Sequence, residues 1–258
     1  MVCSNWKMVN FVTPIHWAER ATNMLSSDGG NQIDFPLYHG TSTIFLEDII
    51  KHGLGGLNPI EEWQVLECAR DILPLAQKYL SADRNYANKM RSFEMMTRQS
   101  QDTFNFQHGD TYLSPAKFTA IRYAINTRYG SELLTYTVHF LDGLVRLGVS
   151  GVCDDLYQKY PHVFHKLDIS VAPLLIEVEG VKSCDLLSEK GDDPQAQFEL
   201  ILKAKREHPD FSEDLIQQNN FRLKKHVAAS KITVWLIIVS KWDIWKPEYT
   251  MRRVTLES

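Results

Sequence analysis

The chain has 258 residues, 44% of them hydrophobic and 11% aromatic, and its formal net charge is −4. This composition is typical of a packed globular enzyme and excludes a disordered chain, and the charge excludes a global basic field that would draw the protein onto nucleic acid or an anionic membrane. The four cysteines lie far apart without a C-x-x-C pair, which argues against zinc ribbons and disulfide frameworks and favours a reducing compartment: Cys3, Cys68, Cys153 and Cys184.

The N-terminal segment predicts neither a secretory signal nor a membrane span, because Lys7, Glu19 and Arg20 interrupt it. The longest apolar run, residues 232–239, is about half the length that a membrane-spanning helix requires. We therefore expect a cytoplasmic protein. A short helix over 18–25 and a polar, glycine-containing break predict an extension over 1–31, followed by the core of one domain that occupies the whole chain, 1–258.

The core begins with a predicted strand over 35–38, followed by a predicted helix. Ser42 or Thr43 is the expected N-cap of that helix, and apolar residues between positions 44 and 50 supply its buried face. Gly53 stands where the helix should end in a left-handed residue.

Residues 57–103 differ from their surroundings, because apolar residues recur at helical spacing over 63–80 and a polar-rich helical pattern follows over 83–98. We interpret them as a helical insertion. Alternation at 104–106, a turn at 108–110 and a strand over 111–113 follow, and Ser114-Pro115 then opens a helix that runs to about residue 128.

The remaining chain predicts three strands and one amphipathic helix. Alternating apolar residues predict strands over 132–140, 172–181 and 231–240. A helix is expected over 195–208, with lysine and arginine on its polar side.

Candidate site residues stand in the order that one enzyme family uses. Tyr38-His39-Gly40-Thr41-Ser42 ends the first strand, and Tyr112 and Tyr123 follow in a strand–turn–helix, with Ala120 and Ala124 around the second tyrosine. This pattern resembles the histidine–tyrosine branch of the ADP-ribosyltransferase superfamily, which includes diphtheria-toxin-like and poly(ADP-ribose)-polymerase-like catalytic domains. The resemblance covers less than half of the chain, namely residues 35–54, 109–140 and 215–239.

The resemblance implies an α+β fold with a split mixed or antiparallel β-sheet core, flanking helices and a helical insertion. It also implies that the protein cleaves NAD, a co-substrate, at the bond between nicotinamide and ribose. His39 would then bind ribose hydroxyls, Gly40 and Thr41 would line the nicotinamide site, and Tyr112 and Tyr123 would sandwich the pyridine ring. The alternative for these residues is structural, as a hydrogen-bonded buried histidine and ordinary core tyrosines.

The chain departs from the family where a glutamate normally precedes the last conserved strand, because Asn220 stands there. An asparagine can hydrogen-bond a hydroxyl but cannot accept a proton. Three readings stay open. Another acid serves, such as Glu213, Asp214 or a residue of the insertion; the alignment is displaced and Glu177 or Glu179 serves; or the domain binds NAD or a partner without transfer. Asn220 is also compatible with a plain turn residue.

Cys153, His162 and His165 offer possible metal ligands, but their spacing fits no zinc site, and we predict no metal.

The acceptor is predicted from charge and from the resemblance. Arg84, Lys89, Arg91 and Arg98 interleave with Tyr86 and Phe93 in the insertion, and a second basic cluster spans 222–231. Such clusters suit RNA or DNA, favoured slightly over protein, although solvated faces explain them equally well because Asp83 and Glu94 dilute the first. The resemblance also implies that the protein is a bacterial toxin of a toxin–antitoxin or phage-defence system, with an antitoxin protein as a further partner.

Overall fold

The computed structural model describes residues 32–98, 109–148, 151–166 and 169–255. These residues form an α+β fold in which every strand pair is antiparallel. The strands are β1 (Leu37–Ser42), β2 (Tyr112–Leu113), β3 (Pro173–Val178), β4 (Leu186–Ser188), β5 (Phe221–Leu223), β6 (Ile232–Lys241) and β7 (Glu248–Val254).

The strands build two sheets that meet at one point. The first has the order β1-β3-β6-β7 and the second the order β2-β5-β4. Tyr38 and Ser114 join them, because the Tyr38 amide donates to the Ser114 carbonyl at 2.8 Å and the Ser114 amide donates back to the Tyr38 carbonyl at 2.7 Å. This bridge brings β2 alongside β1, and with it the two parts of the chain that carry the predicted site.

Helices surround the sheets. They are α1 (Leu46–His52), α2 (Pro59–Glu62), α3 (Val65–Tyr79), α4 (Arg84–Arg98), α5 (Lys117–Asn126), α6 (Glu132–Arg146), α7 (Val152–Lys159), α8 (Pro161–Phe164), α9 (Gln195–Glu207) and α10 (Ser212–Ile216). Among the described residues, no helix combines the length and the apolar character needed to cross a membrane.

Helix α5 packs closely on one face of the first sheet, where Tyr38, Ala120, Ala124 and Leu175 form a small apolar cluster. A Cβ atom at Gly40 would lie 2.0 Å from the carbonyl oxygen of Ala120. Glycine at position 40 therefore lets α5 approach β1, and any side chain there would push the helix away. The larger core, which includes α3 and α6, contains the buried side chains of the opposite strand face.

Most predicted elements are confirmed within the described ranges, with shifted ends. Ser42 caps a 3₁₀ turn that precedes α1, and Gly53 ends α1 with a φ of 81°. Helices α3, α4, α5 and α9 and strands β2, β3 and β6 occupy the predicted segments. The predicted helix over 18–25 and the alternation at 104–106 lie outside the described residues, and the division into extension, insertion and single domain stays a prediction.

The strand predicted over 132–140 is wrong, because this segment forms helix α6. Ser131 caps the helix, with its hydroxyl accepting from the Leu134 amide at 3.4 Å. Apolar residues of α6 also recur at three- and four-residue spacing, as Leu134, Val138 and Leu141 do, and all three are buried. The cap and the helical period together outweigh the β-propensity of the threonines and valine.

Candidate active site

A cleft of about 330 Å³ lies where the two sheets meet. Its size falls in the range of sites for small molecules and cofactors. Strands β1 and β2, helix α5, the start of α6 and the chain beside β4 and β5 all contribute to its walls. All six residues predicted from the sequence line it: His39, Gly40, Thr41, Tyr112, Tyr123 and Asn220.

The His39 side chain is oriented by the backbone of β2. Its Nδ1 atom lies 2.8 Å from the carbonyl oxygen of Tyr112, and because a carbonyl only accepts, Nδ1 carries the proton. Burial lowers the pKa of His39, and this effect outweighs the opposing hydrogen bond to Tyr112. The ring is therefore neutral at pH 7, and Nε2 is a hydrogen-bond acceptor for a donor in the cleft.

Gly40 and Thr41 form the wall beside His39. Gly40 is held by its close contact with α5, and Thr41 is only 1% exposed and packs against Gly130. His39 is thus the polar side chain that the cleft can use, whereas Gly40 and the buried Thr41 form closely packed wall.

Tyr112 lies half-buried on β2, and Tyr123 faces the same cleft from α5. Tyr123 is 39% exposed and is part of the lining of the cleft. Burial raises the pKa of the Tyr123 hydroxyl, and the nearby Glu132 carboxylate adds to this effect. The hydrogen bond between the hydroxyl and the backbone of Glu132 acts in the opposite direction and is outweighed. Glu132 also lines the cleft, and limited hydration raises the pKa of its carboxyl group although its side chain is accessible.

A carboxylate that the sequence did not reveal stands beside Asn220. Ser188 pairs with Phe221 across β4 and β5, so the residues next to this pair, Glu189 and Asn220, face each other at the end of the ladder. The Asn220 side-chain Nδ2 donates to Glu189 Oε2 at 3.4 Å, and both residues line the cleft. Glu189 therefore places a carboxylate directly beside Asn220 on this side of the cleft.

The other acids that the sequence offered lie elsewhere. Glu177 accepts from the Trp235 indole nitrogen at 2.8 Å, and Glu213 accepts from the backbone amides of Lys117 and Phe118 at the start of α5. Glu179 and Asp214 are exposed, and the lining of the cleft includes none of the four. Among the described carboxylates that line the cleft, Glu189 alone is hydrogen-bonded to Asn220.

The aromatic and basic residues predicted to bind nucleic acid make other contacts in the structure. Phe93 is fully buried, and Tyr86 packs against Phe140 with a centroid distance of 5.8 Å, so both aromatic residues belong to the core. In the second cluster, Arg222 pairs with Asp110 at 3.0 Å and Lys225 with Asp185 at 3.1 Å. The interleaved aromatics of the insertion are therefore not a base-stacking surface.

No group of three histidine, cysteine or acidic residues able to hold a metal ion occurs within the described ranges.

No protein-family model matches this chain, and no curated protein and no solved structure shows significant similarity to it. The fold and the cleft define an α+β protein with one site that combines a neutral histidine, two tyrosines and a paired carboxylate and amide.

Proposed function

We propose that this protein is a mono-ADP-ribosyltransferase that uses NAD as a co-substrate, transfers ADP-ribose to a macromolecular acceptor and releases nicotinamide. The observation that carries this proposal is the convergence of His39, Tyr112 and Tyr123 with Glu189 and Asn220 in one cleft. These residues come from four distant parts of the chain. Their residue types match what binding and cleaving a nicotinamide riboside requires.

The nicotinamide end of NAD would lie between β1, β2 and α5. A ribose hydroxyl would donate to His39 Nε2, whose acceptor state follows from the bond between Nδ1 and the Tyr112 carbonyl. The flat pyridinium would lie against the tyrosine rings, because aromatic faces attract flat cationic rings. Held in this way, the ribose C1′ would face Glu189 and Asn220 on the opposite side of the cleft.

The chemical step breaks the bond between C1′ and the pyridinium nitrogen. The bonding electrons leave with nicotinamide, which becomes neutral, and positive charge develops on the ribose. The Glu189 carboxylate would stabilise this charge electrostatically. An acceptor oxygen or nitrogen then attacks C1′ and loses its proton to Glu189, while Asn220 orients the carboxylate through its Nδ2 donor.

A binding module that holds NAD without transferring ADP-ribose is the second candidate. The observation that favours it is the amide at position 220, which cannot serve as a base. Both candidates bind NAD, but only the transferase releases nicotinamide and transfers ADP-ribose.

Two measurements on the full chain test the proposal, namely the NAD-dependent rise in melting temperature and the release of free nicotinamide. We expect both in the wild type. His39→Ala should lower nicotinamide release about 100- to 1000-fold, the usual effect of losing one polar group at a reacting centre. Tyr123→Ala should weaken NAD binding about tenfold, since it removes one aromatic wall.

His162→Ala is the matched control, because His162 is an exposed histidine on α8. It should leave both measurements unchanged. Both candidates would be contradicted if the wild type is folded but NAD neither raises its melting temperature nor is cleaved to release nicotinamide. Stabilisation without nicotinamide release, with label from radioactive NAD on neither RNA, DNA nor protein, would support the binding module instead.

A further inference from the structure

The turn between β6 and β7 exposes two tryptophans. Residues 241–246, which we call the tryptophan tip, include Trp242 and Trp245, each 64% exposed, and Ile244, which is 47% exposed. Exposed aromatic side chains of this size cost hydration free energy, and a cluster of them marks an interaction site more often than an isolated one.

Hydrogen bonds fix the conformation of the tip. The Asp243 carboxylate accepts from the backbone amides of Trp245 and Lys246, both at 2.8 Å, which closes a tight turn. Below the turn, the Ser240 hydroxyl donates to the Glu248 carbonyl at 3.0 Å. The two indole rings are therefore presented by an ordered turn.

The tip is also anchored on α5. The Arg122 guanidinium lies 4.9 Å from the centroid of the Trp245 ring, and the Asn126 side chain donates to the Ile244 carbonyl at 3.5 Å. Arg122 and Asn126 are one helical turn apart, as are Thr119 and Tyr123, which line the cleft. The tip and the cleft thus flank the same helix, which is only about 10 Å across with its side chains.

Three cationic side chains lie in the tip or against it, in a chain whose net charge is −4. Lys246 belongs to the turn, Arg122 lies against the Trp245 ring, and Lys241 pairs with Glu248 at 3.3 Å. The only other acidic side chain of the turn, Asp243, accepts from two backbone amides. Cations interleaved with exposed aromatic faces are the surface that single-stranded nucleic acid binds, by base stacking and phosphate contacts.

We propose that the tryptophan tip binds a single-stranded nucleic acid, with bases stacked on Trp242 and Trp245 and phosphates near Lys246 and Arg122. Its position beside α5 would lead the strand toward the cleft. That the strand is the ADP-ribose acceptor rests on the proposed function, whereas binding itself does not.

The test measures binding of fluorescein-labelled twelve-nucleotide oligo-uridylate and oligo-thymidylate to the full chain without NAD. We expect each of Trp242→Ala and Trp245→Ala to weaken binding about tenfold, and the double variant about 100-fold, from the loss of one stacked base each. Tyr157→Ala is the matched control, because Tyr157 is 50% exposed and lies on α7. It should bind both oligonucleotides as the wild type does.

Binding should also weaken as salt rises, and Lys246→Gln should reduce that dependence by one phosphate contact. Absence of binding to both oligonucleotides, or equal binding by the double variant and the wild type, would overturn the proposal. A double variant that changes only from dimer to monomer would overturn it in favour of a contact between two copies of this chain. Nicotinamide release measured without oligonucleotide tests the proposed function separately, so the failure of either is distinguishable.

Discussion

The two sides of the cleft differ in the length and pairing of their strands, and we call the side of His39 the firm side and the side of Glu189 the looser side. On the side of His39, β1 has six residues, pairs with β3 along its whole length and is pressed against α5. On the side of Glu189, β4 and β5 have three residues each, and the carboxylate is joined to Asn220 by a bond of 3.4 Å. Under the proposed function, the firm side would bind NAD and the looser side would carry the chemistry, so that substitutions should separate the two.

Glu189→Gln should have the largest effect on turnover, and this effect should be limited to the looser side of the cleft. The amide keeps the size of the side chain but neither accepts a proton nor carries negative charge, so we expect kcat for nicotinamide release to fall about 100- to 10,000-fold. The NAD-dependent rise in melting temperature should remain. Glu179→Gln is the matched control, because Glu179 is exposed and does not line the cleft. Unchanged turnover in Glu189→Gln would remove this residue from the mechanism.

Gly40→Ala should damage the firm side through its packing. The added methyl group would meet the Ala120 carbonyl, so α5 must shift, at a cost of about 1–3 kcal/mol in the free energy of unfolding. Because α5 also carries Tyr123, NAD should stabilise this variant less, as urea denaturation with and without NAD would measure. Gly148→Ala separates strain from packing, since position 148 has a φ of 65° but no neighbour within 4 Å. If Gly40→Ala matched the wild type in both measurements, the close contact would not matter.

Acid should weaken the firm side by a smaller amount, through His39. The folded-state pKa of His39 lies below the 6.5 of an unperturbed histidine, so the unfolded chain takes up the proton first as pH falls. The contribution of this residue to stability is therefore complete above pH 6.5 and declines below it. NAD affinity should fall at still lower pH, where the folded ring is protonated and Nε2 no longer accepts. His39→Gln, which does not titrate there, should lack this component in thermal unfolding measured across pH.

The firm side was largely predictable because its signals are local. A strand ending in Tyr38-His39-Gly40-Thr41-Ser42, a capped turn and a helix stop at Gly53 follow one another within a short segment. The helix that carries Tyr123 begins at Lys117, two residues after the predicted start at Ser114-Pro115. Short-range patterns of this kind fix both the element and the face on which its side chains lie.

On the looser side Asn220 was predicted but Glu189 was not, because the two residues are 31 positions apart and meet only through the pairing of two very short strands. The local signal was weak. Leu186 and Leu187 precede a Ser-Glu-Lys-Gly sequence, which is typical of a strand that enters a turn, but three residues are too few to establish a period. Helix α6 was missed for a related reason, because residues 134–140 alternate as in a strand, and the helical spacing becomes clear only when Leu133, Leu141 and the cap at Ser131 are included.

The hydrogen bond between His39 Nδ1 and the Tyr112 carbonyl has an evolutionary consequence. The proton position on the histidine is set by the path of the main chain and not by any side chain. Substitution at position 112 can therefore change the aromatic wall while the imidazole keeps its tautomer. The aromatic wall and the tautomer of His39 can therefore change independently in evolution, although neighbouring atoms of one residue supply both. Only the aromatic wall depends on the identity of residue 112 and can be read from the amino-acid sequence.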